Sequence, residues 1–281
     1  MQWQTSRFQI DLAQPRVMGI VNLTPDSFSD GGRHTELSAA LQHAERILAE
    51  GADILDVGAE STRPGAQPLS EADELARLMP FLREVVKWQV PISVDTYKAA
   101  VMREALQLGV DIVNDIWALR QPGAEAVVAA HPSCGVCLMH MHREPQSMQS
   151  EPMTGDVLQK VQIFLEERIR ALLALGVSAD RIVQDPGIGF GKTPHQNLSL
   201  LARHADWSVP GFSVMAAWSR KSTLGSVLSE DRQLPSPQDR IHASVAAALL
   251  AVERGARIVR VHDVKPTLDA LKVWSAVLEH A

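Results

Sequence analysis

The sequence predicts an α/β fold, a single (β/α)₈ barrel over residues 1–281. Three observations carry this. Short apolar runs that read as strands recur eight times along the chain. Each alternates with a helical stretch, the pattern of parallel βαβ units with right-handed crossovers. The chain has 281 residues, close to the roughly 250 of an α/β barrel. A doubly wound open sheet is the alternative topology. Hydrophobic residues make up 46% and aromatic ones 5%, with one Tyr, so the core is aliphatic, as suits a sheet buried on both faces.

The elements follow in order. Val17–Val21 is the first strand. Leu37, Ala40, Leu41, Ala44, Ile47 and Leu48 mark one helix face, stopped by Gly51 before the strand Ala52–Val57. Ser70-Glu71-Ala72-Asp73 resembles a capping box. It opens a helix with Leu75, Leu78, Met79, Leu82, Val85 and Val86 on one face, and the strand Ile92–Val94 follows. Gly109 precedes the strand Val110–Asp115, and Val136–Met139 is the fifth strand. Val157, Val161, Phe164, Leu165, Ile169 and Leu172 stripe a helix that ends at Gly176, ahead of the strand Arg181–Asp185. Phe212–Ala216 and Ala256–His262, the latter after Gly255, complete the set. Glycine at each helix stop fits a left-handed C-terminal cap. No linker or composition break divides the chain.

Composition narrows the function. Net charge is 27 − 33 = −6, a poor match to general nucleic-acid binding, which needs a positive field. The first residues, Met1-Gln2-Trp3-Gln4-Thr5-Ser6-Arg7, lack the apolar stretch of a secretory signal, and no run is long enough for a membrane span. A reducing cytoplasm is expected, with Cys134 and Cys137 as thiols.

Barrel enzymes work at the C-terminal ends of their strands. Here those ends carry Asn22, Asp56, Asp95, Asn114, His140, Asp185, Ser219, Arg260 and His262. Polar groups converging on one rim predict a small-molecule site. The loops Asn22–Gly32 and Glu60–Ala66 combine turn formers with Gly and Pro, as lids do, and Phe28 and Arg63 within them suggest ligand contact.

Some motifs are set aside. Gly187-Ile188-Gly189-Phe190-Gly191-Lys192-Thr193 fails as a phosphate loop, because Pro186 stands at the first Gly position. Cys134-Gly135-Val136-Cys137 runs into a buried strand without a second Cys pair, so structural cysteines are favoured over a metal or redox site. His140 and His142 would share a strand face and could bind a metal. One pocket His and one loop His is the preferred reading.

The loops also carry a family resemblance. Met18–Gly32, with Asn22-Leu23-Thr24-Pro25-Asp26-Ser27-Phe28-Ser29-Asp30, resembles the first signature of the dihydropteroate synthases, and Asp56–Gly65 resembles the second. Ser93–Thr96, Val113–Ile116, Leu138–Met141, Asp185–Lys192, Ser219–Ser222 and Arg260–Val264 follow in family order. The resemblance implies a Mg²⁺-using enzyme of folate synthesis, usually a homodimer and a sulfonamide target. Its substrates are dihydropterin pyrophosphate and p-aminobenzoate. It implies that Asp95, Asn114, Asp185, Lys221 and Arg260 hold the pterin. Asn22, Arg63, Arg260 and His262 would meet the diphosphate, with Mg²⁺ on Asn22. Phe28, Thr62, Pro64, Ser219 and the stem of Lys221 would line the p-aminobenzoate pocket. Asp95, Lys221, Arg63 and His262 would be catalytic. The chain departs from the family pattern at Ala59, Tyr97, His142 and Ala217-Trp218, none of which removes a ligand. Competing readings are a corrinoid-linked methyltetrahydrofolate methyltransferase, a non-catalytic pterin-binding paralogue, and a metal-dependent barrel hydrolase built on His140 and His142.

Overall fold

The computed structural model describes residues 1–24, 33–61, 66–145, 147–148, 150–229 and 233–280. It opens with a two-stranded antiparallel hairpin, β1 (Gln2–Gln4) and β2 (Gln9–Asp11). Eight parallel strands then close into a barrel. They are β3 (Arg16–Asn22), β4 (Ile54–Gly58), β5 (Ile92–Asp95), β6 (Ile112–Asp115), β7 (Gly135–Met139), β8 (Ile182–Asp185), β9 (Ser213–Ala216) and β10 (Ile258–Val261). β10 pairs with both β9 and β3, which seals the ring.

The outer layer comprises α1 (Arg33–Ala49), α2 (Glu71–Val85), α3 (Ala99–Leu108), α4 (Ala124–Ala130), α5 (Val157–Ala174), α6 (Pro194–Ala202), α7 (Ser222–Leu228), α8 (Ile241–Glu253) and α9 (Val264–Leu278). The open-sheet alternative is excluded. Among the described residues no helix is long and apolar enough to cross a membrane.

Strand parity sorts the core. Outward residues such as Val17, Leu55, Val57, Val94, Val113 and Val259 pack on helix residues Ile47, Leu78, Phe81, Leu82 and Met102. Inward residues Met18, Ile54, Ile112, Cys137, Val183, Met215 and Ile258 fill the barrel. Helix stops behave as expected: Gly109 caps α3 at φ 107, in the left-handed region that a side chain would disfavour.

The N-terminal hairpin is the plug. Trp3, Ile10 and Leu12 join the inward cluster and close the bottom of the barrel. Trp3 Nε1 donates to Arg181 O at 2.9 Å, and Arg7 forks onto Asp111 through Nε and Nη2 at 3.0 and 2.6 Å. A Cβ on Gly135 would lie 3.0 Å from Trp3 Nε1, so glycine there lets the hairpin close in. With the bottom sealed, the C-terminal mouth is the end left to serve a ligand.

Candidate active site

The parity that fills the barrel also aims the rim. On β6, Asn114 follows inward Ile112, while Asp115 turns out and accepts from the Trp117 and Leu119 N–H groups at 2.7 Å each. On β8, Asp185 follows inward Val183, while Gln184 turns out to donate to Val209 O and Phe212 O. Asp56 follows Ile54 and Arg260 follows Ile258 in the same way. Asn22 ends β3 two residues beyond Ile20, paired with Gly58, which pairs with Asp95 on β5.

Arg260 lies at the centre. Its Nε donates to Asp56 Oδ2 and its Nη2 to Asp95 Oδ2, both at 2.6 Å. Asn114 Nδ2 donates to both Asp56 oxygens at 3.4 and 3.3 Å. Burial would lower the guanidinium pKa, but Asp56 and Asp95 reverse that and raise it. Burial pushes the Asp95 carboxyl up to about 7, with Arg260 pulling against it and Asp56 adding to it. Asp95 therefore sits where it can gain or lose a proton near neutrality.

Asp185 is raised by burial and held down in part by the Gly187 N–H, which donates to its Oδ1 at 2.7 Å. Gly187 has φ +67, and a Cβ there would fall 1.9 Å from His140 O, so no other residue fits the turn. Lys192, the residue a phosphate-loop reading would aim at an anion, is buried. It donates to Gly187 O at 2.8 Å and to His140 O and Phe190 O at 3.2 Å each. It clamps the turn that holds Asp185.

Lys221 Nζ lies 4.4 Å from the centroid of the Phe190 ring. Burial lowers its pKa to about 8 and Arg260 adds to that, with Asp185 and Asp95 opposing. His262 directly follows β10. Its Nδ1 lies 3.0 Å from Ser219 Oγ, which also accepts the His262 N–H at 3.1 Å. Burial, then Arg260 and Arg220, push its pKa down to about 3.

Of the residues singled out in the sequence, Asp56 and Asp95 thus meet at Arg260, and Asn114 joins them through Asp56. Lys221 and Asp185 share the same field, and Ser219 touches His262. Phe28, Thr62, Arg63 and Pro64 lie outside the described residues. His140 is a correction to the rim reading. One residue past inward Met139, it points out of the barrel, with its ring edge-on to Phe164 at 4.9 Å. Its Nδ1 is buried without a partner. Among the described residues no three His, Cys, Asp or Glu gather as a metal site. Cys137 faces the barrel interior, whereas Cys134 belongs to the outer core and takes a 3.2 Å contact from Arg181 Nη2.

The sequence pattern of the family described as "Pterin binding enzyme" matches residues 18–262. The chain is 49% identical over 281 residues to the dihydropteroate synthase of Neisseria meningitidis serogroup B, covering 98% of this chain and 97% of that protein. The chain belongs to the dihydropteroate synthase family. Two solved structures of family members agree. The Burkholderia cenocepacia dihydropteroate synthase complexed with 7,8-dihydropteroate superposes with a TM-score of 0.90 at 49% identity, covering 99% of this chain and 97% of that one. The Xanthomonas albilineans dihydropteroate synthase with 4-aminobenzoic acid gives a TM-score of 0.90 at 46% identity, covering 99% of each chain.

The departures from the dihydropteroate synthase pattern now have surroundings. Trp218 is core, packed with Val214, Leu224 and Ala247. Tyr97 belongs to a cluster that sequence reading missed. Its hydroxyl donates to Glu60 Oε1 at 2.8 Å, and Lys98 pairs with both Glu60 and Glu74. Glu60 Oε2 also accepts from the Leu69 N–H at 3.0 Å. One carboxylate therefore ties the start of the second loop to Leu69, just ahead of α2. The signal was the family departure at Tyr97 itself, but its partner lies 37 positions away in sequence.

Proposed function

We propose that the chain joins a dihydropterin diphosphate to p-aminobenzoate, giving 7,8-dihydropteroate and pyrophosphate. The observation that carries the reading is Arg260 braced between Asp56 and Asp95 at 2.6 Å, in the same mouth as Asp185 and Lys221. Carboxylates and cations alternate there, as a ligand with a donor-rich ring and an anionic tail requires.

The roles follow from the chemistry of each side chain. Asn114 commits its Nδ2 to Asp56, so its oxygen is the atom offered to a pterin N–H. Asp185 accepts from the guanidine-like edge of the ring, and Lys221 donates to the pterin carbonyl and ring nitrogen. With its pKa at about 8, Lys221 is roughly nine-tenths protonated at pH 7. Arg260 stacks its guanidinium plane on the ring. Asn22, Arg63, Arg260 and His262 bind the diphosphate. His262 is neutral before the anion arrives, and an approaching diphosphate favours its charged form. Phe28, Thr62, Pro64 and Ser219 receive p-aminobenzoate, the position a sulfonamide would contest.

Mg²⁺ fits the donor set. Asn22 supplies one hard amide oxygen, and Mg²⁺ takes few protein ligands when phosphate oxygens and water complete its shell. When bound, it supplies positive charge to the diphosphate.

The C–O bond to the diphosphate breaks first and leaves a cation delocalised into the ring. Asp95 and Asp185 stabilise that cation, while Arg63 and His262 stabilise the departing anion. The aryl nitrogen then forms the C–N bond, and its proton passes to water. No nucleophilic Ser or Cys takes part. Rapid mixing with the pterin substrate alone tests this order: absence of any Mg²⁺-promoted diphosphate release without the amine would exclude the dissociative path.

A homodimer is part of the reading, supported by the exposed apolar Val227 and Leu228 of α7 and Val273, Val277 and Leu278 of α9. Sedimentation reads it directly. One domain and a cytoplasmic setting complete the reading, and the two free, buried thiols suit that compartment. The deciding experiment is an assay with dihydropterin pyrophosphate, p-aminobenzoate and Mg²⁺, run beside Lys221→Ala. A pterin–aminobenzoate adduct should form with the wild type and largely vanish with the variant. Equal yields would refute the role of Lys221, and no adduct from either would refute the function.

A further inference from the structure

Arg220 stands between two proposed ligand-binding residues, Ser219 and Lys221, and has φ 58, in the left-handed region that a side chain disfavours. Four contacts hold it there. Its N–H donates to Ser244 Oγ at 2.8 Å, and its carbonyl accepts from Arg240 Nη1 at 3.0 Å. Its Nε and Nη2 donate to Asp263 Oδ2 and Oδ1 at 3.0 and 2.6 Å. Asp263 is the N-cap of α9, yet its side chain makes no capping bond. A residue type suited to capping is given over to Arg220 instead. Arg240 is buried and reaches in past Gly225, where a Cβ would lie 2.9 Å from its Nε.

We infer that Arg220 and Asp263 are positioning residues that lock the loop after β9 to the loop after β10. The pair fixes Ser219 and Lys221 on one side and His262 on the other. The bidentate fork sets direction as well as distance. An unfavourable backbone conformation persists only where its surroundings over-determine it, and here donors or acceptors fix both the backbone N–H and C=O and the side chain. The inference rests on the proposed function, since the residues it positions are ligands of that reaction.

The test is Asp263→Asn, which keeps the side-chain shape and the option to cap α9 but loses the charged fork. Wild type, Asp263→Asn, Arg220→Lys and the remote surface control Arg203→Ala are compared. Readouts are Kd for dihydropterin diphosphate, KM for both substrates, kcat, and the thermal midpoint. Misplacement of ligand-binding groups by an ångström costs on the order of a hundredfold. Asp263→Asn should therefore raise Kd and lower kcat/KM by about tenfold or more, mainly through KM. Arg220→Lys, which keeps one ion pair, should fall between it and wild type, and Arg203→Ala should match wild type. Should Asp263→Asn not fold, Arg220→Lys carries the test with the same readouts. Unchanged Kd and KM overturn the inference, as does a loss confined to kcat in proportion to unfolded protein. Wild type that fails to bind the pterin at all overturns the functional reading instead.

Discussion

Replacing Arg260 with Met keeps an unbranched apolar stem, two atoms shorter, and removes the charge between two carboxylates. Asp56 is fully buried, while Arg260 and Asp95 are 18% and 19% exposed. Breaking a buried pair by removing one partner costs about 3–5 kcal/mol, and the partial exposure favours the lower end. The deficit depends on pH. The Asp95 carboxyl lies at about 7 in the folded protein because burial raises it, with Arg260 holding it down. Its unfolded value is about 3.9. A carboxyl raised on folding contributes stability that is present below about pH 4 and lost as the pH rises through its folded value. Without Arg260 that value rises further. Both proteins therefore lose stability in parallel up to about pH 7. Above it the Asp95 contribution levels off in the wild type, whereas in the variant it costs a further ~1.4 kcal/mol per pH unit. Urea unfolding at pH 6.5 and pH 9 measures the difference. A deficit equal at both pH values, or below about 1 kcal/mol throughout, would refute the reasoning.

Other outcomes follow from the same contacts. Binding of dihydropterin diphosphate should weaken above about pH 8 as the Lys221 ammonium is lost, by up to roughly tenfold per pH unit; calorimetry across pH 7–9.5 checks it, and a flat profile contradicts it. Tyr97→Phe removes a bond to a carboxylate, worth about 1.5–3 kcal/mol. Because Glu60 starts the second loop and ties it to Leu69 and Tyr97, KM for p-aminobenzoate should rise severalfold while the pterin Kd stays constant. Trp3→Ala unplugs the bottom of the barrel at a cost of about 3–5 kcal/mol, read by denaturation, with kcat/KM unchanged below the melting range.

Most of the barrel was legible because its signals are local. All eight strands and the glycine stops match the sequence reading, since apolar runs and left-handed caps need only their neighbours. The plug was not: β1 and β2 have three residues each, too few for alternation to register. The capping box at Ser70 is half present. The Ser70 hydroxyl caps the Asp73 N–H but gives its own proton to Asp73 Oδ2 at 2.6 Å. The full reciprocal box is at Thr193 and Gln196, with Pro194 between them, where the longer amide reaches back to the cap.

Within the site, polar strand ends were visible but their direction was not always. Counting parity from Cys137 would have turned His140 outward. The charge pairs escaped notice because Arg260 on β10 reaches past β3 to Asp56 on β4, 204 positions away in sequence. That distance is bridged by closure of the ring, which no local pattern records.

The most direct test is a crystal structure of the wild-type chain soaked with dihydropterin diphosphate. The pterin ring should lie inside the C-terminal mouth, its amino edge on Asp185 and Asn114 and Arg260 against its face, with the diphosphate toward Asn22 and His262. A ring bound elsewhere, or reversed so that its diphosphate faces Asp185, would contradict the proposed site.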